Sequence, residues 1–151
     1  MSFSVRILAA AVVALGALPS AVWAGDSMRA TTGHPAIVTA GPAGAALLGA
    51  ANIGTGHLLI RVSAYTPPPD KKPVEIVVSA KLASGLREIG RFSIMPAAPF
   101  AAGDHRPTQN FSLDLPSDLK GKRSIVLSVA VVPVLTGGEG ASVTIAGAAI
   151  R

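Results

Sequence analysis

The residues of this 151-residue chain best suited to metal chemistry are three histidines, His34, His57 and His105, with Met28 and Met95 as thioethers. Imidazole and thioether together can build a copper site. Their spacing argues against one, because no pair falls at H-x-H or H-x-x-x-H. His57 opens a strand and points outward by alternation. His105 stands in the polar loop tip Gly103-Asp104-His105-Arg106. Only a loop fold could bring His105 to Met95, so these two are weak metal candidates and no cofactor is expected. Nucleophilic chemistry fares no better. There is no cysteine, which removes thiol catalysis and thiolate metal sites, and no G-x-S-x-G elbow to expose a serine. The glycines of 137–140 separate two strands, so they form no phosphate loop before a helix. All eight acidic residues fall in loops, near turns or on solvent faces. The expectation is a domain that is not an enzyme. What remains is recognition by loops, and the polar tip with His105 and Arg106, followed by Gln109 and Asn110, is a candidate contact region.

The elements that would position these residues begin after an export signal. Arg6 precedes an apolar run from Ile7 to Leu18. Pro19 and Ser20 break it, and Val22-Trp23-Ala24 offers a cleavage site before Gly25. The run, about twelve residues, is short of the roughly twenty a membrane helix needs. The expected organisation is a signal peptide over 1–24, a flexible lead-in over 25–35 and one β-sandwich domain over 36–151, periplasmic or secreted, with no stable membrane insertion after cleavage. The formal net charge of +5 is mild, and no aromatic residues interleave with the basic pairs Lys71-Lys72 and Lys122-Arg123. That balance argues against a nucleic-acid partner. Without disulfides, core packing alone must hold the domain together.

Short apolar runs alternate with turn signals throughout, the pattern of an all-β chain. Val74, Ile76, Val78, Ala80 and Leu82 share one face of 74–82. Phe111, Leu113 and Leu115 oppose Asn110, Ser112 and Asp114, and are expected to be buried. Leu58, Ile60, Val62 and Ala64 oppose His57, Arg61, Ser63 and Tyr65. Over 124–132 both faces are small or apolar, which marks a central or doubly covered strand. Weaker strands are expected at 36–39, 46–52, 87–95 and 143–150, with strand preferred to helix in the Ala/Gly-rich stretch 43–51. Pro67-Pro68-Pro69-Asp70 is a stiff connector. Residues 116–121 read as one helical turn ending on Gly121. Residues 96–107 form a long loop without periodicity. The fold class is all-β, an antiparallel β-sandwich of about seven or eight strands.

The order of segments from His34 to Arg151 resembles the C-terminal domain of plant polyphenol oxidases, the KFDV-type domain of the tyrosinase family. His34-Pro35-Ala36-Ile37-Val38 is similar to its opening strand. Leu47 to Ile53 and His57 to Tyr65 are similar to the next two. Gly90-Arg91-Phe92 resembles a G-S-F step. Ser128 to Pro133 and Val143 to Ile150 resemble its closing pair. The name-giving tetrad falls on Leu59-Ile60-Arg61-Val62, so its lysine and aspartate are missing. The resemblance implies a β-sandwich that shields an oxidase's copper site and is not itself catalytic. The copper-binding histidines belong to a catalytic domain this chain lacks, so no site residue carries over. The expectation is therefore a free-standing accessory domain that binds a tyrosinase-like copper oxidase. The alternative is a periplasmic copper-handling protein using His and Met. Partner surfaces need apolar anchors, and Phe100 in the long loop and Tyr65 at a strand end are the expected ones, beside His105 and Arg106; the alternative for Phe100 is a plug in the end of the sandwich. The oligomeric state is left open.

Export is directly testable. Mass spectrometry of the exported protein is expected to find Gly25 at its N-terminus, and an intact Met1 on a membrane-embedded chain would refute the signal.

Overall fold

A computed structural model describes residues 28–42, 56–94, 98–101 and 108–151. Among these the chain is all strand: β1 (Met28–Thr31), β2 (Ala36–Pro42), β3 (His57–Thr66), β4 (Val74–Leu82), β5 (Gly85–Phe92), β6 (Gln109–Asp114), β7 (Ile125–Pro133) and β8 (Ser142–Ile150). The signal segment, the strand expected at 46–52, and the loop tip lie outside the described residues. No helix among the described residues is long and apolar enough to cross a membrane.

Alternation explains most of this. In β4 the inward set Val74, Ile76, Val78 and Ala80 is buried, as the period of two requires. In β7, Ile125, Leu127, Val129 and Val131 are buried, and the strand is central, between β4 and β2. Its second face is only partly covered, since Ser128 is buried but Val126 and Val132 remain about two-fifths exposed. Two further departures concern the N-terminal part. Met28–Thr31 is a strand paired antiparallel to β8, where a flexible lead-in was expected. β2 runs antiparallel to β7 over Ala36–Ala40, then parallel to β8 at Gly41 and Pro42, so the sheet is not purely antiparallel.

The strand order is β5-β4-β7-β2-β8-β3-β6, one mostly antiparallel sheet curled into a half-barrel. β2 joins its two halves, which enclose a single core containing Leu58, Ile60, Ile76, Leu127, Val129 and Ile145. The curl brings the end strands β5 and β6 together by side chains. Phe92 stacks on Phe111 with ring centroids 3.9 Å apart and planes 16° apart. A Cβ on Gly90 would stand 3.2 Å from Leu113 Cδ2, so glycine permits the close approach. A bulge at Ile89 turns both Gly90 and Phe92 inward, because Ser79 pairs with Glu88 and Val78 with Gly90. Phe111 and Leu113 face inward as expected but are only half-buried, because β6 is an edge strand.

The turns also follow their chemistry. Leu119 and Lys120 donate backbone N–H bonds to the Pro116 carbonyl, and Gly121 takes a φ of 80°. Leu119 closes that end of the core, fully buried.

Adjacent residues of β7 give a sharp test of facing. Leu127→Ala is expected to cost about 2–5 kcal/mol in chemical denaturation. Val126→Thr, one residue away on the outer face, is expected to stay within about 0.5 kcal/mol.

Candidate functional site

The residues expected to anchor a partner are not on the surface. Tyr65 and Phe100 are 3% and 4% exposed. They form a backbone bridge, Tyr65 N–H to Phe100 O at 2.8 Å and Phe100 N–H to Tyr65 O at 3.1 Å, with ring centroids 6.4 Å apart. Strict alternation assigned Tyr65 to the outer face of β3. A bulge reverses it: Val62 pairs with Ile145 and Ala64 with Thr144, which leaves Ser63 as the extra residue. The Ser63 hydroxyl donates to the Thr144 carbonyl at 3.4 Å. Beyond the bulge the inward positions are odd-numbered, so Tyr65 enters the core, and burial raises its phenol pKa. Phe100 follows because its backbone is tied to Tyr65. Tyr65 is corrected from an exposed anchor to a core residue, and Phe100 takes its alternative place as a plug rather than an anchor.

The metal candidates are not brought together among the described residues. His57 sits across β3–β6 from Asp114, its Nδ1 2.8 Å from the carboxylate. His34 is in an isolated bridge with Thr31, between β1 and β2. No group of three or more metal-ligating His, Cys, Asp or Glu side chains occurs among the described residues. His105, Arg106 and Met95 lie outside them.

Two surfaces stand out instead. One is the outer face of β7. Val126 and Val132 are exposed there, Ile37 of β2 is exposed across from Ser128 between them, and the chain runs on into Val134 and Leu135, which are 51% and 64% exposed. Arg91 of β5 borders this face, bonded to Glu88 at 2.8 and 3.0 Å and to Glu75 at 2.9 Å. The bulge at Ile89 puts Glu88 and Arg91 on the same outward side.

The other is a groove of about 580 Å³ at the end of the half-barrel where β3 leads into β4. Its walls are Pro67, Pro68, Pro69, Pro73 and Pro99, with Tyr65 and Ile94 behind and Lys71 and Lys72 beside them. A proline cannot donate to a sheet, so the chain leaves β3 here and turns. Lys71 N–H closes the turn on the Pro68 carbonyl at 3.0 Å, with Lys71 held at a φ of 56°. Asp70 latches the turn to the β7–β8 loop. Its carboxylate accepts the N–H of Gly138 at 2.9 Å and that of Lys72 at 3.1 Å. Lys72 Nζ donates to the Thr136 carbonyl at 2.6 Å. A Cβ on Gly137 would run into the Asp70 carboxylate, and Gly137 also needs its φ of 111°. Sequence reading found the stiff connector but not the groove, since Tyr65, Ile94 and Pro99 come from separate strands and loops. At the opposite end, a shallower hollow of about 490 Å³ is lined by Lys120, Lys122, Arg123 and Arg151.

Compared with protein-family models, curated proteins and solved structures, the chain matches none.

The Asp70 latch carries a pH signature. The Gly138 N–H, then the Lys72 N–H, hold its carboxyl below the ordinary value. A group with a lowered folded pKa stabilises fully above its unfolded pKa and loses that contribution as pH falls through the folded one. Asp70→Ala is therefore expected to lower the thermal midpoint at neutral pH. By calorimetry, its gap from the parent should persist through neutral pH and close as pH falls below the ordinary carboxylate range of about 4. A gap independent of pH would mean the latch is not ionic.

Proposed function

We propose that this chain is a non-catalytic, exported β-domain that covers a surface of a tyrosinase-type copper oxidase. The observation that carries the binding role is the aliphatic outer face of β7. In an antiparallel sheet facing water on one side, outward positions are ordinarily polar. Here Val126, Val132 and Ile37 are exposed on that face, and the exposed Val134 and Leu135 follow directly after the strand. Such a patch on rigid strands is what a partner desolvates. The Arg91–Glu88–Glu75 cluster at its border supplies a polar rim of the kind that surrounds a buried contact. The choice of an oxidase as partner rests on the segment order from His34 to Arg151, and export rests on the N-terminal pattern. The same reading moves the contact from the long loop, where Phe100 is buried, to the sheet.

Val132→Lys is a suitable probe, because Val132 lies across from Glu75 and the new ammonium gains a partner. The mature parent is expected to co-elute with a tyrosinase-type catalytic domain from its own genome and to slow its phenol oxidation. Val132→Lys is expected to weaken binding by at least about tenfold, with an unchanged thermal midpoint. If the parent neither co-elutes with nor slows the oxidase, the proposal fails.

A further inference from the structure

We infer that the proline-walled groove is a binding site for a small aromatic anion: a flat apolar ring system with a carboxylate or comparable acidic group at one end. Its volume, about 580 Å³, lies within the range of small-molecule sites. The wall chemistry selects the body of the ligand. Five prolines supply apolar ring faces and no backbone N–H, so this wall offers acceptors and C–H groups but not amide donors. The C–H groups of proline rings are attracted to the electron-rich face of an aromatic ring. Fixed φ angles and the Asp70 latch keep the wall in place before binding, which reduces the ordering cost.

The charges select the head. Lys71 and Lys72 both line the groove, while Asp70, immediately before them in the sequence, turns its carboxylate to the backbone N–H groups of Gly138 and Lys72. The rim is thus cationic. Lys72 is also tied to the Thr136 carbonyl, which leaves Lys71 as the ammonium with room to meet a ligand. Lys71 has a further peculiarity. It is the one non-glycine residue with positive φ among those described, at 56°, where glycine would be cheaper. A lysine kept at a position that favours glycine points to a use for its side chain.

The test uses the mature full chain and 4-phenylbutyrate as probe, with its neutral counterpart 4-phenylbutanol. Amide shifts on titration are expected to saturate and to cluster at Tyr65, Val74, Ser93 and Ile94. The alcohol is expected to bind about fivefold to tenfold more weakly, since it lacks the charge that Lys71 meets. Lys71→Gly removes the ammonium and relieves the left-handed backbone, so its thermal midpoint should hold or rise while affinity falls by a similar factor. Ser93→Trp, which fills the rim, should abolish binding in a folded protein. Several outcomes would overturn the inference: no saturable shifts, shifts confined to the basic hollow around Lys120 and Arg151, equal binding of acid and alcohol, or undiminished affinity in folded Lys71→Gly.

Discussion

The closure of the sheet on itself, edge side chain against edge side chain, is the constraint on which the rest of this structure depends. β5 and β6 share no backbone ladder, yet Phe92 stacks on Phe111 and Leu113 fills the space above Gly90. Without that seam the curled sheet would open, and the core between its halves would meet water. With no disulfide available, packing of this kind closes the side opposite β2, whose ladders to β7 and β8 join the halves. The glycine and the phenylalanine of Gly90-Arg91-Phe92 thus have one physical role, the glycine permitting approach and the ring filling it. Arg91 between them faces outward and ties the edge to β4 through Glu75.

Closure also sorts the surfaces. The half containing β2, β7, β4 and β5 turns one face inward to the core and leaves the other open, and on that open face aliphatic residues remain. Edge strand β5 carries Arg87, Glu88 and Arg91, charges that discourage another chain from adding a strand. Arg87 reaches Asp118 in the turn that holds Leu119 in the core, so the charged edge is also pinned to one end of the barrel. The contrast is physical: the edge of this half is guarded by charge, while its face is left apolar.

The two ends differ in kind. One is sealed by the short turn of 116–121 and surrounded by basic side chains. The other is sealed by Tyr65 and Phe100, over which the prolines arch and leave a groove. The groove exists because Tyr65 is inside. Had β3 kept its alternation to the end, Ala64 would have capped the core and the phenol would have faced solvent.

The sequence by itself determined the all-β class, the positions of most strands, and the facing of β4, β6 and β7, because a period of two on a half-buried strand leaves its mark in residue type. It also determined the turns at Gly121 and Gly137–Gly140, where a positive φ demands glycine. Only the tertiary structure decided three things. Short β1 is a strand because β8 offers it a ladder, and four residues carry too little periodicity to reveal that. β2 changes partners from β7 to β8, a choice made by neighbours far along the chain. The bulges at Ser63 and Ile89 reset which face is inside, since one extra residue inverts every side chain after it, and its presence depends on the register of the partner strand. That is why Tyr65 and Phe100, reasonable surface anchors by spacing, belong to the core.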